Sequence, residues 1–308
     1  MIKKIIRIGT RESQLAVWQA ATVRQLLADR GYGSELVYIK SEGDTDLQTP
    51  LYEIGVQGIF TKALDIALLK GDIDIAVHSM KDVPTILAKG VVQAAVLPRA
   101  NQMDILVPGP GYVTEASGLP VTIATSSIRR KAQWLNKYPE SAIENLRGNV
   151  NTRMRKVAES NWHGAIFAAA GLERIGLRPL SAISLQWMLP APAQGAIVVV
   201  CKENDNYCLE ACSMFNDKET ELCTRAERDF LRVLLGGCST PISGYAKIEG
   251  EEMLFEGNIL SRDGVQKKDI SMRLPVKEAV KMGQMAGMAL LQNGGKEILD
   301  GIRDCGVL

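Results

Sequence analysis

Short runs of isoleucine, valine and alanine recur along the first two thirds of the chain, and between them apolar residues return every three or four positions. The runs suit strands buried on both faces, and the stretches between them suit amphipathic helices. Residues 4–8 predict a strand and 13–29 a helix, with Ser13 as its N-cap and Gly31 just past its end. A strand over 35–40, a helix over 59–70 and a strand over 73–77 follow. After a Pro-Gly-Pro-Gly turn at 108–111 the alternation starts again: strand 121–124, helix 127–137, a short extended piece at 144–146, helix 151–160 and strand 165–168. This βαβ grammar implies mostly parallel sheets.

A second break, Pro190-Ala191-Pro192-Ala193-Gln194-Gly195, precedes a strand over 196–201 and a long amphipathic helix over 219–235. The period then drops to two. Residues 245–248 and 253–260 flank a hairpin turn at 249–252, and 269–274 supplies a third strand. A final helix over 276–292 ends at Gly294-Gly295. Strands followed by a helix predict a small α+β domain.

With 308 residues, the chain exceeds the size at which a single core keeps growing, so two or three domains are expected. A formal net charge of +1 excludes a global basic field for nucleic acid, and any anion site must be built locally. No stretch approaches the roughly 18 apolar residues of a membrane span. The apolar run at the N-terminus is broken by Arg7 and is too short for a signal-peptide core, so a soluble cytoplasmic protein without a membrane partner is expected. Cys201, Cys208, Cys212, Cys223, Cys238 and Cys305 are then expected as reduced thiols. Cys208, Cys212 and Cys223 lack the paired spacing of a zinc knuckle, and no metal is expected.

One arrangement recurs: a strand ends, a Ser, Thr or Asn appears, a helix begins, and arginine sits at the junction. It occurs at Thr10-Arg11-Glu12-Ser13, at Thr125-Ser126-Ser127-Ile128-Arg129-Arg130 and at Arg147-Gly148-Asn149-Val150-Asn151-Thr152-Arg153. Arginine at a helix N-terminus costs roughly 0.3–1 kcal/mol per charge, and an anionic ligand reverses the sign. Three such junctions point to a cleft for several carboxylates or phosphates, because such junctions lie at the carboxyl edge of a doubly wound sheet. Solvated arginines paired with surface acids are the plainer alternative, and the spacing does not separate carboxylate from phosphate. Neither a GxxxxGK[ST] nor a GxGxxG loop occurs.

The strand over 73–77 runs into His78-Ser79-Met80-Lys81-Asp82-Val83-Pro84, where Pro84 keeps Val83 out of a helix and predicts a loop. Adjacent Lys81 and Asp82 suit ligand chemistry there, or a turn with a surface ion pair. A Ser/His/Asp triad would crowd His78, Ser79 and Asp82 into five residues. Such triads gather from distant segments, so His78 is expected to be structural.

This segment resembles the signature loop of the porphobilinogen deaminase family. The Arg11 segment, 125–130, 146–150 and Ala170-Gly171-Leu172-Glu173-Arg174 resemble further family segments in the same order. Gly236-Gly237-Cys238-Ser239-Thr240-Pro241-Ile242 resembles its cofactor-attachment loop. The resemblance implies two solute-binding-protein-like, doubly wound α/β lobes plus a small C-terminal α+β domain. Their bounds would be 1–98 with 196–216, 99–195, and 217–308 carrying the cofactor cysteine. It implies a monomer that condenses four porphobilinogen molecules into hydroxymethylbilane with release of ammonia, the substrate and the growing polypyrrole chain being its partners. A dipyrromethane cofactor, joined to Cys238 as a thioether, would prime the chain. Asp82 would be catalytic. Arg11, Arg129, Arg130, Arg147, Arg153, Arg174 and Lys81 would bind acetate and propionate groups, with Ser13, Gln19, Thr125 and Ser127 adding neutral hydrogen bonds.

Three positions depart from the family pattern: Gln57 stands where lysine is frequent, Leu235 where glutamate often opens the cofactor loop, and Ala193 where glycine is frequent. Two other readings stay open on the spacing alone. A two-lobed anion receptor leaves the Gly-Gly-Cys loop unexplained, and a phosphoribosyl transferase would need a phosphate loop and metal carboxylates.

Overall fold

The computed structural model describes residues 4–40, 61–112, 121–234 and 240–304. The chain divides into two compact units, one of residues 1–46, 56–100 and 195–222, the other of 47–55, 101–194 and 223–308.

The first unit contains β1 (Ile6–Thr10), α1 (Gln14–Ala28), β2 (Ser34–Tyr38), α2 (Lys62–Lys70), β3 (Ile75–Ser79) and β4 (Val91–Val96). Its sheet, ordered β2-β1-β3-β10-β4, is completed by β10 (Ile197–Lys202), and α6 (Asn206–Ser213) follows. β1 pairs parallel with β2 and β3, whereas β10 runs antiparallel to β3 and β4. Ile6, Ile8, Ile75 and Val77 pack with Ala20, Val23 and Leu27 of α1 and with α6. Cys201, Cys208 and Cys212 lie in this core. Burial pushes the Cys201 thiol up to about 11, Cys212 to about 12 and Cys208 higher still, which leaves them unreactive.

The second unit contains β5 (Asp104–Pro108), β6 (Thr122–Ala124), α3 (Ile128–Lys137), β7 (Ala142–Glu144), α4 (Val150–Glu159), β8 (Gly164–Ala168), α5 (Ala169–Glu173) and β9 (Ile183–Ser184). The order is β7-β6-β8-β5-β9, with β6 parallel to β7 and β8, and β5 antiparallel to β8 and β9. Both sheets therefore follow one plan: β2 and β7 at one edge, β1 and β6 next to them, β3 and β8 at the centre, and the reversed strands β10 and β5 beyond, with β4 and β9 closing the other edge. Sequence periodicity predicts mostly parallel sheets; the structure has mixed ones. In each sheet the reversed strand is the one the chain forms on arriving from the other unit.

Helix α7 (Lys218–Val233) leads to a second, antiparallel sheet of the same unit, β11 (Ile242–Glu249), β12 (Glu252–Leu260) and β13 (Lys267–Pro275). The expected hairpin forms, with Gly250-Glu251 at its tip. The final helix departs from expectation. It is α8 (Met282–Leu290), kinked at Asn293 and Gly294, and it resumes as α9 (Lys296–Asp304). Ile298, Leu299 and Ile302 bury one face of α9, so the chain continues past the two glycines. No helix of the described residues is long and apolar enough to cross a membrane.

Two backbone constraints stand out in the second unit. Ala193 has φ 62°, a left-handed conformation that a non-glycine residue adopts at roughly 1–2 kcal/mol. Glu227 of α7, wholly buried, holds it by accepting from Ala193 N at 2.6 Å and from Ala246 N at 2.8 Å. On α8, a Cβ at Gly283 would lie 1.9 Å from the Ala226 carbonyl oxygen. Gly283→Ala is expected to force α8 off α7 and lower stability by about 3 kcal/mol in denaturant titration.

In the first unit Asp74 is 5% exposed and accepts from Arg7 N, Nε and Nη2 at 2.9–3.0 Å, with Lys4 Nζ at 2.8 Å. Burial pushes its carboxyl up, but hydrogen bonds from Arg7 and Lys4 outweigh this and bring it down to about 2. A carboxyl depressed on folding adds stability above its ordinary range, and that stability is lost as pH falls through the folded value. Asp74→Asn is therefore expected to cost about 2 kcal/mol near neutral pH and almost nothing near pH 2, as read from denaturation midpoints across pH.

Candidate functional site

In the five-stranded sheets the strand order reverses beside β1 and beside β6, and at such a switch point ligands meet the carboxyl ends of the strands. In the first unit those ends are Thr10 of β1 and Ser79 of β3, adjacent because Gly9 pairs with Ala76. Arg11 follows β1, and Ser13 caps α1 by accepting from Ala16 N at 3.4 Å. His78 and Ser79, expected in a loop, complete β3 because β10 pairs with them; Met80–Asp82 then form one 3-10 turn. The turn is held by Met80 N donating to the Ala196 carbonyl at 3.0 Å and Val83 N to that of Met80 at 3.1 Å. Arg11, Lys81 and Asp82 are half-buried along this edge.

Gln19 lies on α1. It is 2% exposed and donates to Ser79 Oγ at 2.8 Å, bracing β3 just before the Asp82 turn. His78 is buried, and its Nε2 lacks a hydrogen-bond partner. Burial, with the Arg11 guanidinium, lowers it to about 3, so it stays neutral at physiological pH. The second histidine, His163, is structural, its Nδ1 accepting from Thr122 N at 2.9 Å.

In the second unit three junctions lie on one edge, at the ends of the parallel strands β7, β6 and β8. Thr125 is buried and its Oγ1 accepts from Ser127 N at 3.2 Å. Ser127 is the N-cap position of α3, where its own side chain makes no capping bond. Ser126 Oγ donates to the Leu146 carbonyl and accepts from Leu146 N at 3.1 Å, tying the α3 junction to the α4 junction. Asn149 caps α4 through Thr152 N at 2.9 Å, and Arg153 Nε donates to the Gly148 carbonyl at 2.7 Å. Arg147 is 4% exposed. Arg174 closes α5, and burial lowers it to about 10 although the Glu173 charge pulls the other way.

Asp104, at the start of β5, was not legible as a site residue. It is wholly buried. Its oxygens accept from Arg129 Nη2 at 2.7 Å, from Arg130 Nε and Nη2 at 3.0 and 2.8 Å, and from Gln194 Nε2 at 3.0 Å. Arg130 also donates through Nη1 to the Ile166 carbonyl at 2.9 Å. All three of its side-chain nitrogens thus donate inside the protein. Arg129 donates through Nη1 to the Leu189 carbonyl at 2.6 Å, while its Nε is buried without a partner. Burial lowers Arg129, with the neighbouring Arg130 adding to the effect and Asp104 opposing it.

An unpaired buried donor costs about 1–3 kcal/mol, and an anionic oxygen would remove that cost. A group bearing several carboxylates, as a dipyrromethane with its acetates and propionates does, fits this donor and this edge. Asp104 alone faces both guanidiniums, Arg129 and Arg130. Cys238, Gln57 and Leu235 lie outside the described residues.

Comparisons with known proteins agree along the chain. Residues 6–210 match the family described as porphobilinogen deaminase, dipyromethane cofactor binding domain, and residues 221–292 match the porphobilinogen deaminase C-terminal domain. The porphobilinogen deaminase of Syntrophotalea carbinolica is 39% identical over 97% of this chain and 96% of its own length. That of Desulforamulus reducens is 38% identical over 98% and 99%, and the chloroplastic enzyme of Pisum sativum 41% over 94% and 82%. Among solved structures, a periplasmic substrate-binding protein of an ABC transporter from Coxiella burnetii is 15% identical, covering 70% of this chain and 94% of that one at a TM-score of 0.44. With both family models and relatives matched over nearly its full length, the chain belongs to the porphobilinogen deaminase family.

Proposed function

We propose that the protein condenses four porphobilinogen molecules head to tail into hydroxymethylbilane, releasing ammonia at each step, for tetrapyrrole synthesis. The match of the cofactor-binding model over residues 6–210 carries this reading. It accords with the three-domain division 1–98 with 196–216, 99–195 and 217–308, with a cytoplasmic setting and with a monomer as the working form.

Placement at the strand ends supports the following residue roles. Arg129, Arg147, Arg153 and Arg174 in the second unit, and Arg11 and Lys81 in the first, bind acetate and propionate groups. Thr125, Ser127 and Ser13 add neutral hydrogen bonds. Arg130 acts one step back, holding Asp104 and thereby Arg129; Gln19 likewise braces the Asp82 turn. Cys238 anchors the dipyrromethane, which supplies a nucleophilic pyrrole carbon when bound.

Asp82 handles the charge. Loss of ammonia breaks a carbon–nitrogen bond and leaves a cationic methylene on the incoming pyrrole. A carboxylate beside it accepts the pyrrole N–H and faces the cation. It can pass a proton to the leaving amine and later take one from the coupled ring. At about 4 Å and an effective dielectric near 20 such a pair is worth on the order of 4 kcal/mol. Realised only in the transition state, that is roughly a thousandfold in rate.

Asp82→Ala is expected to lower kcat by about a thousandfold with an unchanged denaturation midpoint. Near-normal turnover would remove Asp82 from this role. Intact mass of the acid-denatured chain is expected to show an adduct of two linked pyrrole units, absent in Cys238→Ser. A bare chain even after incubation with porphobilinogen would overturn the proposed activity.

A further inference from the structure

Within the second unit, hydrogen bonds run from the C-terminal antiparallel sheet to the arginine pair through one side chain. Gln133 lies one helical turn beyond Arg129 on α3 and is 4% exposed. Its Nε2 donates to the Leu189 carbonyl and to Ser243 Oγ, both at 3.0 Å, and its Oε1 accepts from Leu189 N at 2.9 Å. The Leu189 carbonyl is the same one that receives Arg129 Nη1. Ser243, wholly buried, is the second residue of β11. Two donors and an acceptor without charge, at this reach, describe a glutamine amide.

A second contact fixes the same helix against the same sheet. Asn136 Nδ2 donates to the Gly264 carbonyl at 2.7 Å in the turn between β12 and β13. Gly264 has φ 77°, and a Cβ there would lie 2.5 Å from the Ala132 carbonyl oxygen, so the turn is pressed onto α3 as closely as glycine allows. Gln133 thus sits where three parts meet: the helix that carries Arg129, the segment that accepts from Arg129, and the strand that follows the cysteine loop in sequence.

We propose that Gln133 is a positioning residue for carboxylate binding. It sets the register of β11 against α3, and through the carbonyl it shares with Arg129 it holds that guanidinium with Nε presented for an anionic oxygen. The proposal rests on the reading of Arg129 as a carboxylate ligand and Cys238 as the cofactor anchor. Its effect falls on binding and on loading of the cofactor, whereas the chemical step belongs to Asp82.

The test uses the full-length chain and the variants Gln133→Met, Ser243→Ala and both together. The readouts are the fraction of purified chain carrying the two-pyrrole adduct by intact mass, the porphobilinogen KM and kcat of the loaded chain, and the thermal midpoint. Gln133→Met is expected to raise KM about tenfold, keep kcat within about twofold and lower the loaded fraction. Ser243→Ala is expected to shift KM the same way by about threefold, and the double variant to match Gln133→Met, because both changes delete one shared bond. Wild-type KM and loading in both single variants, with only the thermal midpoint lowered, would reduce Gln133 to a scaffold residue and overturn the proposal. If Gln133→Met does not fold, Ser243→Ala decides alone, since it removes one hydroxyl and keeps both bonds to Leu189. A wild-type chain that never acquires the adduct would instead defeat the underlying functional reading, and the proposal with it.

Discussion

Positive charge gathered on one sheet edge has to be balanced, and in the second unit the balance begins with one buried carboxylate. Asp104 meets Arg129, Arg130 and Gln194 with no exposure to water. Removing one partner from such a group costs about 3–5 kcal/mol, so the pair cannot be rearranged piecemeal. The balance is deliberately incomplete in one sense: one carboxylate faces two guanidiniums, and Arg129 keeps a buried donor unpaired. The energy left unsatisfied there is available to a ligand that brings carboxylates.

The same logic explains why the junctions tolerate arginine where a helix N-terminus disfavours it. Each junction ends a parallel strand of its sheet, and strand pairing brings neighbouring ends side by side: β1 with β3 in the first unit, β6 with β7 and β8 in the second. Local cost is therefore concentrated at one edge of each unit, where one polyanionic chain can offset several positions at once. The first unit adds a different ingredient. Asp82, on a turn pinned by the Ala196 carbonyl and braced through Gln19 and Ser79, is an acid among cations. In the proposed function, binding and proton chemistry are thus built from the same strand–helix junction with opposite charges.

Much of this was legible in the sequence because it is local. Ser13 and Asn149 cap the helices they were read to open or precede, and the arginine junctions fall at strand ends. The segment around Asp82 was identifiable from seven consecutive residues, although the pairing of β10 draws His78 and Ser79 into the strand. What escaped depends on distant partners. Asp104 lies 25 residues from Arg129, and Gln133 lies 110 residues from Ser243. Nothing in the neighbourhood of Asp104 marks it as buried, since a lone aspartate beside a strand reads as a surface charge. Arg130 shares the sequence context of Arg129, and only distant partners distinguish them, since Arg130 donates to the Ile166 carbonyl and Arg129 to that of Leu189. α9 was missed because two glycines read as a stop, whereas burial of Ile298, Leu299 and Ile302 carries the helix onward.

Ala193 shows how the linking segments are held. Glycine would suit its left-handed backbone, yet alanine stands there and the strain is retained. Glu227 can hold that conformation because both its oxygens accept from backbone amides, one at Ala193 and one at Ala246 of β11. The next residue, Gln194, reaches Asp104, and Leu189 a few residues earlier receives Arg129 and Gln133. The 189–194 segment is consequently fastened at both ends to the groups that carry charge. A change in its backbone would be felt first at Arg129, which donates to the Leu189 carbonyl, and at Asp104, which Gln194 reaches.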